Sequence, residues 1–469
     1  MAAMHAYDFV VIGGGSAGYA GARTAHALGL TTAVIDGASE LGGLCILRGC
    51  MPSKTLLESA RRYRVLRKAA EFGLSAGEPC FDMAKIIARK RRLIAEFSGY
   101  RAGQLQDGRF DLFRGAAEFI GPNSLLVTAP DGSQIAIEAK TILIATGSAI
   151  SIPAIPGLAD AGCLTSDDLL DRESLPKSLI VLGGGPVALE MASYARAFEA
   201  KVTVIQRSPQ ILRGSDKDAA DALAVGLRAD GIEVFTDTKL LRIENAAGLR
   251  RVVFLHGELE QAVEAAEILN ALGRHPVIPG GLPAQTENGK ITTNLSQQTS
   301  QPHIFAAGDV CSPLEVVHTA IQQGEIAARN ASRVLKNRNE PLETIDYRLN
   351  LFAVFTEPGF ACLGASEAEL TASGVPYRTA KYLFEDHGKS LVMGETDGFV
   401  KLTAHASSGE ILGASIVGPD AAELIHEIVV AMRFHATAAD LATTPHYHPT
   451  LSEIWTYPAE EIVDAIKLK

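Results

Sequence analysis

An internal repeat, a glycine-rich turn after the first strand of each copy, and a change of pattern beyond residue 347 predict the fold class. It is an α/β protein with two Rossmann-like dinucleotide-binding domains and a C-terminal α+β domain. The first copy reads DFVVIGGGSAGYAGARTAHALGLTTAVID (8–36) and the second SLIVLGGGPVALEMASYARAFEAKVTVIQ (178–206). Each runs from an apolar strand through a glycine turn and an amphipathic helix to a β-branched strand. Gly13, Gly15 and Gly18 stand 170 residues before Gly183, Gly185 and Ala188, and Asp36 stands the same distance before Gln206. A lone glycine fingerprint is often just a flexible turn. Between a strand and a helix, however, it lets the backbone reach a pyrophosphate, which the helix N-terminus meets with free N–H groups and a positive dipole end. Two copies imply two dinucleotide sites.

The chain has 469 residues, enough for roughly three domains. With 47% hydrophobic and 21% charged residues it has the proportions of a globular protein with a substantial core. A net charge of −11 argues against nucleic acid or an anionic membrane as a partner. No long apolar run suggests a membrane span, and the start MAAMHAYDFVVIGGG lacks a basic region followed by an apolar segment. A cytoplasmic location is therefore expected. Six cysteines are too sparse for a disulfide scaffold, so a close pair of them needs a chemical explanation.

Between the repeats, TILIATGS (141–148) reads as a buried strand ending in a glycine turn, and SIPAIPGL (151–158) as a Pro-rich crossing. HIFAAGDV (303–310) is another strand, followed by Gly308 and Asp309. FVKLTAHASSGEILGASIVG (399–418) reads as a hairpin with a Ser-Gly turn, and a long helix follows from about Ala421. These transitions place a first nucleotide domain at 1–150 with 277–346, a second nucleotide domain at 151–276, and the C-terminal domain at 347–469.

Directly after the first copy comes GGLCILRGCMPSKTLLESARRYRVL. Cys45 and Cys50 are five apart, and Pro52 with the run Leu56, Ala60, Tyr63 marks a helix opening just beyond Cys50. A helix end favours thiolate and lowers a cysteine pKa from about 8.5. A loop of four intervening residues can close a disulfide, although spacing does not prove the geometry. The competing readings are two buried cysteines packed as small hydrophobes, or a zinc site that lacks a second ligand pair nearby. A redox pair fits best beside a dinucleotide site. Cys80, Cys163, Cys311 and Cys362 are scattered and read as structural.

GGLCILRGCMPSK resembles the redox-disulfide motif of the pyridine nucleotide–disulfide oxidoreductases, and HYHPTLSE (446–453) resembles their C-terminal acid–base motif. Branches of that family include dihydrolipoamide dehydrogenases, glutathione reductases and mercuric reductases. The resemblance covers almost the whole chain. It implies FAD in the first site, a nicotinamide nucleotide in the second, and a homodimer in which each C-terminal dimerisation domain completes its partner's active site. It makes Cys45 the thiol that exchanges with substrate and Cys50 the thiol that lies against the flavin. Lys54 would sit beside the flavin ring and pair with Glu190. Ala145, Thr146, Gly147, Ser148 and Asp309 resemble the stretches that hold the flavin diphosphate and ribityl chain, and Glu315–His318 the segment near the flavin ring. The same pattern assigns cofactor contacts to Ser16, Gly43, Gly115, Ala117, Val187, Gly273 and Gly308.

His448 is the candidate general acid–base, since an imidazole pKa of about 6.5 suits proton exchange with a thiol. Glu453 would hold and charge-stabilise that ring. A plainer reading competes, in which Thr450 and Glu453 form a capping box before an apolar helix. His446 and His448 have no further ligand types clustered with them, so no metal site is expected.

The end of each repeat decides the ribose, because a carboxylate there takes the ribose hydroxyls while arginine favours a 2′-phosphate. Asp36 keeps the acid in the first copy. The second has Gln206, then Arg207 and Arg213, which align with the pair that binds the 2′-phosphate in glutathione reductases, so NADP is preferred over NAD. For substrate, the absence of a cysteine after Cys362 disfavours mercuric ion, and Gln323-Gly324-Glu325 puts an acid where glutathione needs a cation. The body then resembles the dihydrolipoamide dehydrogenase branch most, with dihydrolipoamide/lipoamide or a lipoyl-protein as substrate. The alternatives are an NADPH-dependent reductase of another disulfide, glutathione- or mercuric-reductase-like, or a flavin diaphorase or redox sensor.

Overall fold

The computed structural model describes residues 5–75, 77–246, 248–336 and 340–467. They form two compact units, Met1–Pro52 with Ala88–Ser151 and Arg274–Asp346, and Ser53–Ile87 with Ile152–Gly273 and Tyr347–Lys469.

In the first unit the strand His5–Ile12 lies between Thr32–Asp36 and Gln134–Ile144, parallel to both, with Val10 opposite Ala33 and Ile142. Asp111–Arg114 extends one edge in parallel. Ile304–Ala306 also pairs in parallel with Gln134–Ile144, to which Ser124–Thr128 and Ala116–Phe119 add antiparallel strands in turn. Both faces are covered. Phe9 and Val11 enter one apolar cluster and Val10 and Ile12 the other, which is why the strand reads as continuous hydrophobics. Each such side chain, fully buried, contributes about 1.5–3 kcal/mol.

The second unit repeats the plan. Ser178–Leu182 lies between Lys201–Ile205 and Glu267–Asn270, all parallel, and Glu233–Phe235 forms one edge. Leu179 and Val181 pack to one side, Ile180 and Leu182 to the other. Val11 opposite Val34 becomes Val181 opposite Val204, so the strand register is part of the repeat. A three-stranded antiparallel sheet follows, Thr238–Ala246, Leu249–His256 and Leu259–Ala265.

The C-terminal region holds a five-stranded antiparallel sheet in the order Leu351–Val354, Gly359–Gly364, Ile411–Gly418, Phe399–His405, Tyr377–Leu383. The hairpin expected at 399–418 is there, with Gly409 in its turn at φ +73°, and the helix Ala421–Arg433 follows. Leu424, Ile425 and Ile428 of that helix share a core with Val400, Leu402, Ile416 and Trp455.

One local expectation needs correction. The helix expected to open just beyond Cys50 starts at Cys50 itself and runs to Arg67, and Cys45 lies within a short helix before it, Gly43–Leu47. Gly42 at φ +143° and Gly43 at φ +73° make the sharp entry into that short helix, a backbone path that β-carbon-bearing residues rarely follow.

Candidate active site

The two nucleotide loops are built alike. Gly13 N–H donates to Ile35 O at 2.7 Å and Gly183 N–H to Ile205 O at 2.9 Å. Both glycines have positive φ, and an added β-carbon would lie 2.3 Å from Ala145 O at Gly13 and 2.4 Å from Ala271 O at Gly183. Gly15 and Gly185 then cap the 12-residue helices Ser16–Ala27 and Pro186–Ala197 with no side-chain cap. A β-carbon at Gly15 would come no nearer than 3.9 Å to anything, and one at Gly185 would meet nothing within 4 Å. Uncapped helix N–H groups thus face open space across bare backbone, which is what an approaching pyrophosphate requires. The residues fit a dinucleotide at both places. Ser16 and Val187 lie in the first turns of the two helices.

The copies differ at their third small residue. A β-carbon at Gly18 would fall 1.8 Å from Gly13 O, whereas Ala188 carries one in the buried core of the second unit. Gly18→Ala is therefore expected to force the first loop open at a cost of about 3 kcal/mol, and the purified protein should retain far less flavin by absorbance at equal protein concentration. Full flavin content would show that the helix shifts freely.

Around the first loop, Asp36 Oδ2 accepts from Gly14 N–H and Oδ1 from Ala38 N–H, each at 2.9 Å, and Arg114 Nη1 stands 3.8 Å away. Gly115 N–H reaches Asp36 O at 3.1 Å, and Ala117 lies in the strand Ala116–Phe119. Thr146 Oγ1 donates to Val277 O at 2.6 Å, and Gly147 turns the chain at φ +69°. Ser148 Oγ donates to Asp309 Oδ2 at 2.6 Å while accepting from Arg274 Nε at 2.8 Å. Arg274, beside Gly273, was not singled out by the sequence, although the dipeptide follows a buried strand just as Gly147-Ser148 does. Gly308 N–H is held by Gln323 Oε1 at 2.8 Å. Glu315 pairs with Lys290 at 2.9 Å, and His318 is exposed on the first turn of the helix Val317–Leu335. Glu325, the acid held against glutathione, already has Arg23 at 2.7 Å.

Gly43, which opens the Cys45 helix, lies backbone against backbone on the nucleotide loop: its β-carbon, if present, would be 2.7 Å from Gly15 Cα. Cys45 and Cys50 are both half-buried. The sequence also gave no sign of Arg101. Burial lowers its pKa while Tyr19 and Cys45 pull it upward, and its guanidinium lies 4.0 Å above the Tyr19 ring. Burial pushes the thiols of Cys311 and Cys362 up to about 12, so both stay protonated at neutral pH, as structural cysteines should.

Within the second unit, Lys54 Nζ lies 2.9 and 2.8 Å from the two oxygens of Glu190, and 4.7 Å from the Phe355 ring centroid. Phe355 N–H also donates to Glu190 Oε1 at 3.2 Å, which fixes the carboxylate. His448 Nδ1 is 3.0 Å from Glu453 Oε2, leaving Nε2 to face outward. The capping box is not formed. The turn Ser452–Trp455 has no side-chain cap, the helix proper starts at Thr456, and the Glu453 carboxylate is spent on His448 instead. His446 is a different case: Nε2 meets Glu427 at 2.6 Å and Nδ1 meets Thr444 O at 2.8 Å, so both nitrogens are taken. Gln206 folds beneath Gly184, and Arg207 and Arg213 are exposed. Asp216, Asp218 and Glu367 converge as a metal site would, yet the Lys401 ammonium occupies the centre at 2.7–2.9 Å from all three.

Residues 7–324 match the family model for pyridine nucleotide-disulphide oxidoreductases, and residues 352–459 match the dimerisation domain of the same family. The chain is 34% identical to a dihydrolipoyl dehydrogenase of Bacillus subtilis, over 95% of this chain and 96% of that one. It is also 34% identical to that of Thermus scotoductus, over 96% of each. Among solved structures, LpdA of Mycobacterium tuberculosis superposes with a TM-score of 0.85 at 29% identity, covering 98% of this chain and all of the other. The HOCl-induced flavoprotein disulfide reductase RclA of Escherichia coli, solved as a Cu(II) complex, gives 0.84 at 27% identity with the same coverage. No helix among the described residues is long and apolar enough to cross a membrane.

Proposed function

From the premise that the chain belongs to the pyridine nucleotide–disulphide oxidoreductase family and is an FAD-dependent enzyme, we propose that it exchanges electrons between a nicotinamide nucleotide and dihydrolipoamide/lipoamide, free or on a lipoyl-protein. The observation that carries the reading is the seat of the cysteine pair. The helix bearing Cys45 begins on Gly15 of the first nucleotide loop, and Cys50 opens the next helix. FAD, when bound, supplies a two-electron relay between nicotinamide and sulfur. The chain's own residues do the rest. Cys50 at a helix N-terminus has its thiolate favoured by the backbone dipole. Cys45 attacks, or leaves, the substrate sulfur. Lys54, fixed by Glu190, presents a positive charge where the flavin ring is expected. His448 takes the thiol proton at Nε2 while Glu453 stabilises the charged ring.

The chain is a homodimer-forming one by its dimerisation domain, and Val430, Phe434 and Tyr447 are exposed apolar side chains on that domain. In the proposed dimer, His448 serves the cysteines of the other subunit. The functional division is 1–150 with 277–346 for FAD, 151–276 for the nicotinamide nucleotide and 347–469 for the interface.

A panel of dihydrolipoamide, lipoyl-protein, oxidised glutathione and mercuric ion, run with both nucleotides, tests the assignment. Preferential turnover of the lipoyl compounds supports it. Turnover of quinones alone, undiminished by Cys45→Ser, would favour the diaphorase.

The exposed Arg207 and Arg213 make NADP the expected nucleotide. Losing one charge-assisted contact to a 2′-phosphate costs about ten- to hundredfold. Arg207→Glu should therefore raise the KM for NADPH by that factor and leave the KM for NADH nearly unchanged. Equal changes for the two nucleotides would remove the preference.

A further inference from the structure

Glu453 is 7% exposed, and His448 uses only one of its oxygens. The other, Oε1, faces a second histidine, with His387 Nε2 3.4 Å away. His387 is completely buried, in the bend between the turn Phe384–Asp386 and the helix Gly388–Met393. Its Nδ1 is 2.9 Å from Ser390 Oγ, while Nε2 makes no hydrogen bond among the described residues and has Glu453 Oε1 as its charged neighbour. An ionised carboxylate has no proton to give, so the tautomer that suits both neighbours puts N–H on Nε2, toward Glu453, with Nδ1 accepting from the Ser390 hydroxyl. A buried N–H with no hydrogen-bond partner among the described residues therefore stands 3.4 Å from a carboxylate oxygen that His448 does not use.

We propose that His387 is a positioning residue for the acid–base pair: it faces the second oxygen of Glu453, and through that carboxylate sets the orientation and charge environment of the His448 ring.

The titratable groups facing His387 are Glu453 from the turn Ser452–Trp455, His448 from the loop before it, and Tyr457 from the helix Thr456–Lys467, with ring centroids 6.3 Å apart. Tyr382, stacked on Tyr457 at 4.0 Å, stands behind them on the strand Tyr377–Leu383. Burial pulls the His387 pKa below the ordinary histidine value, Glu453 pulls it back up, and the like charge of His448 pushes it down again. A neutral ring suits the role. It orients the carboxylate without consuming the negative charge that His448 needs when protonated.

The proposal deepens the disulfide-oxidoreductase reading and is tested by a double-mutant cycle on the full-length holoenzyme. By removing the only N–H that faces the second oxygen of Glu453 among the described residues, His387→Leu should lower dihydrolipoamide turnover about tenfold and move its pH midpoint in the direction that Glu453→Gln moves it. His387→Asn, which keeps a neutral donor, should recover most of that loss. In the Glu453→Gln background, His387→Leu should change neither turnover nor pH midpoint further. A loss of the same size in both backgrounds, with a lowered unfolding temperature, would mean simple packing and overturn the idea. The His448 imidazole, followed by carbon-13 NMR of histidine-labelled protein, reads the coupling with no substrate present. A titration midpoint unmoved by His387→Leu would also overturn it. A wild-type protein that turned over no disulfide would remove the proposed function and leave this titration to decide the role of His387.

Discussion

Cys45→Ser should lower dihydrolipoamide turnover at least about a thousandfold while NAD(P)H-dependent quinone reduction persists. A serine hydroxyl cannot open a disulfide at neutral pH, because the attacking species must be an anion and the alcohol stays protonated where the thiol does not. Electron entry from the nucleotide does not pass through that sulfur, so the two activities should separate cleanly. Cys50→Ser should abolish dihydrolipoamide turnover as well, and should also abolish the long-wavelength absorption that a thiolate beside oxidised flavin produces on two-electron reduction by NADPH under anaerobic conditions. Parallel loss of quinone and dihydrolipoamide turnover in Cys45→Ser would show that the sulfur is needed for flavin binding or folding rather than for exchange. Residual dihydrolipoamide turnover above a few per cent would take the pair out of the mechanism.

The second large effect is on stability. Lys401→Met should destabilise the second unit by about 3 kcal/mol, read as a lower urea midpoint at unchanged m-value. Lys401 is 1% exposed in its side chain and faces Asp216, Asp218 and Glu367, with Lys381 also on Asp218. Burial alone would lower the Lys401 pKa, but the hydrogen bonds its ammonium donates to Asp216, Glu367 and Asp218 outweigh it and hold the value above that of an ordinary lysine. For Asp218 the order is reversed: burial raises the pKa, and Lys381 and Lys401 bring it below the ordinary aspartate value. The lysine's contribution is complete below its unfolded pKa and is lost only as pH rises through the raised folded value. The aspartate's is complete above its unfolded pKa of 3.8 and is lost as pH falls through the lowered folded value. The cluster therefore holds across the neutral range. Lys217→Met, which removes an exposed ion pair with Asp221, should cost no more than about 1 kcal/mol. Equal effects for the two lysines would show that the Lys401 cluster is only a surface network.

The sequence reads Lys401 as one more residue of a strand, FVKLTAH, and an alternating pattern would turn it to water. What buries it is the arrival of Asp216 and Asp218 at the start of one helix and Glu367 at the start of another. The same holds for Glu453. Three residues after Thr450 it has the spacing of a cap, and only the folded chain shows its two oxygens turned to His448 and His387. Arg274 and Arg101 were invisible for the same reason, since their partners Ser148, Tyr19 and Cys45 are remote in the chain.

By itself the sequence determined the two nucleotide loops, the cysteine pair beside the first of them, and the strand–helix–strand frame that carries both. These are demands of local backbone: a positive φ, or a space too small for a β-carbon, can be met only by glycine at one position, so composition and spacing record them directly. The tertiary structure alone decided which charges neutralise which, and that His446 has both ring nitrogens engaged while His448 meets Glu453 through Nδ1. Side-chain partnership depends on distances across a packed core, and no rule of spacing along the chain encodes a contact between residues that meet only after folding.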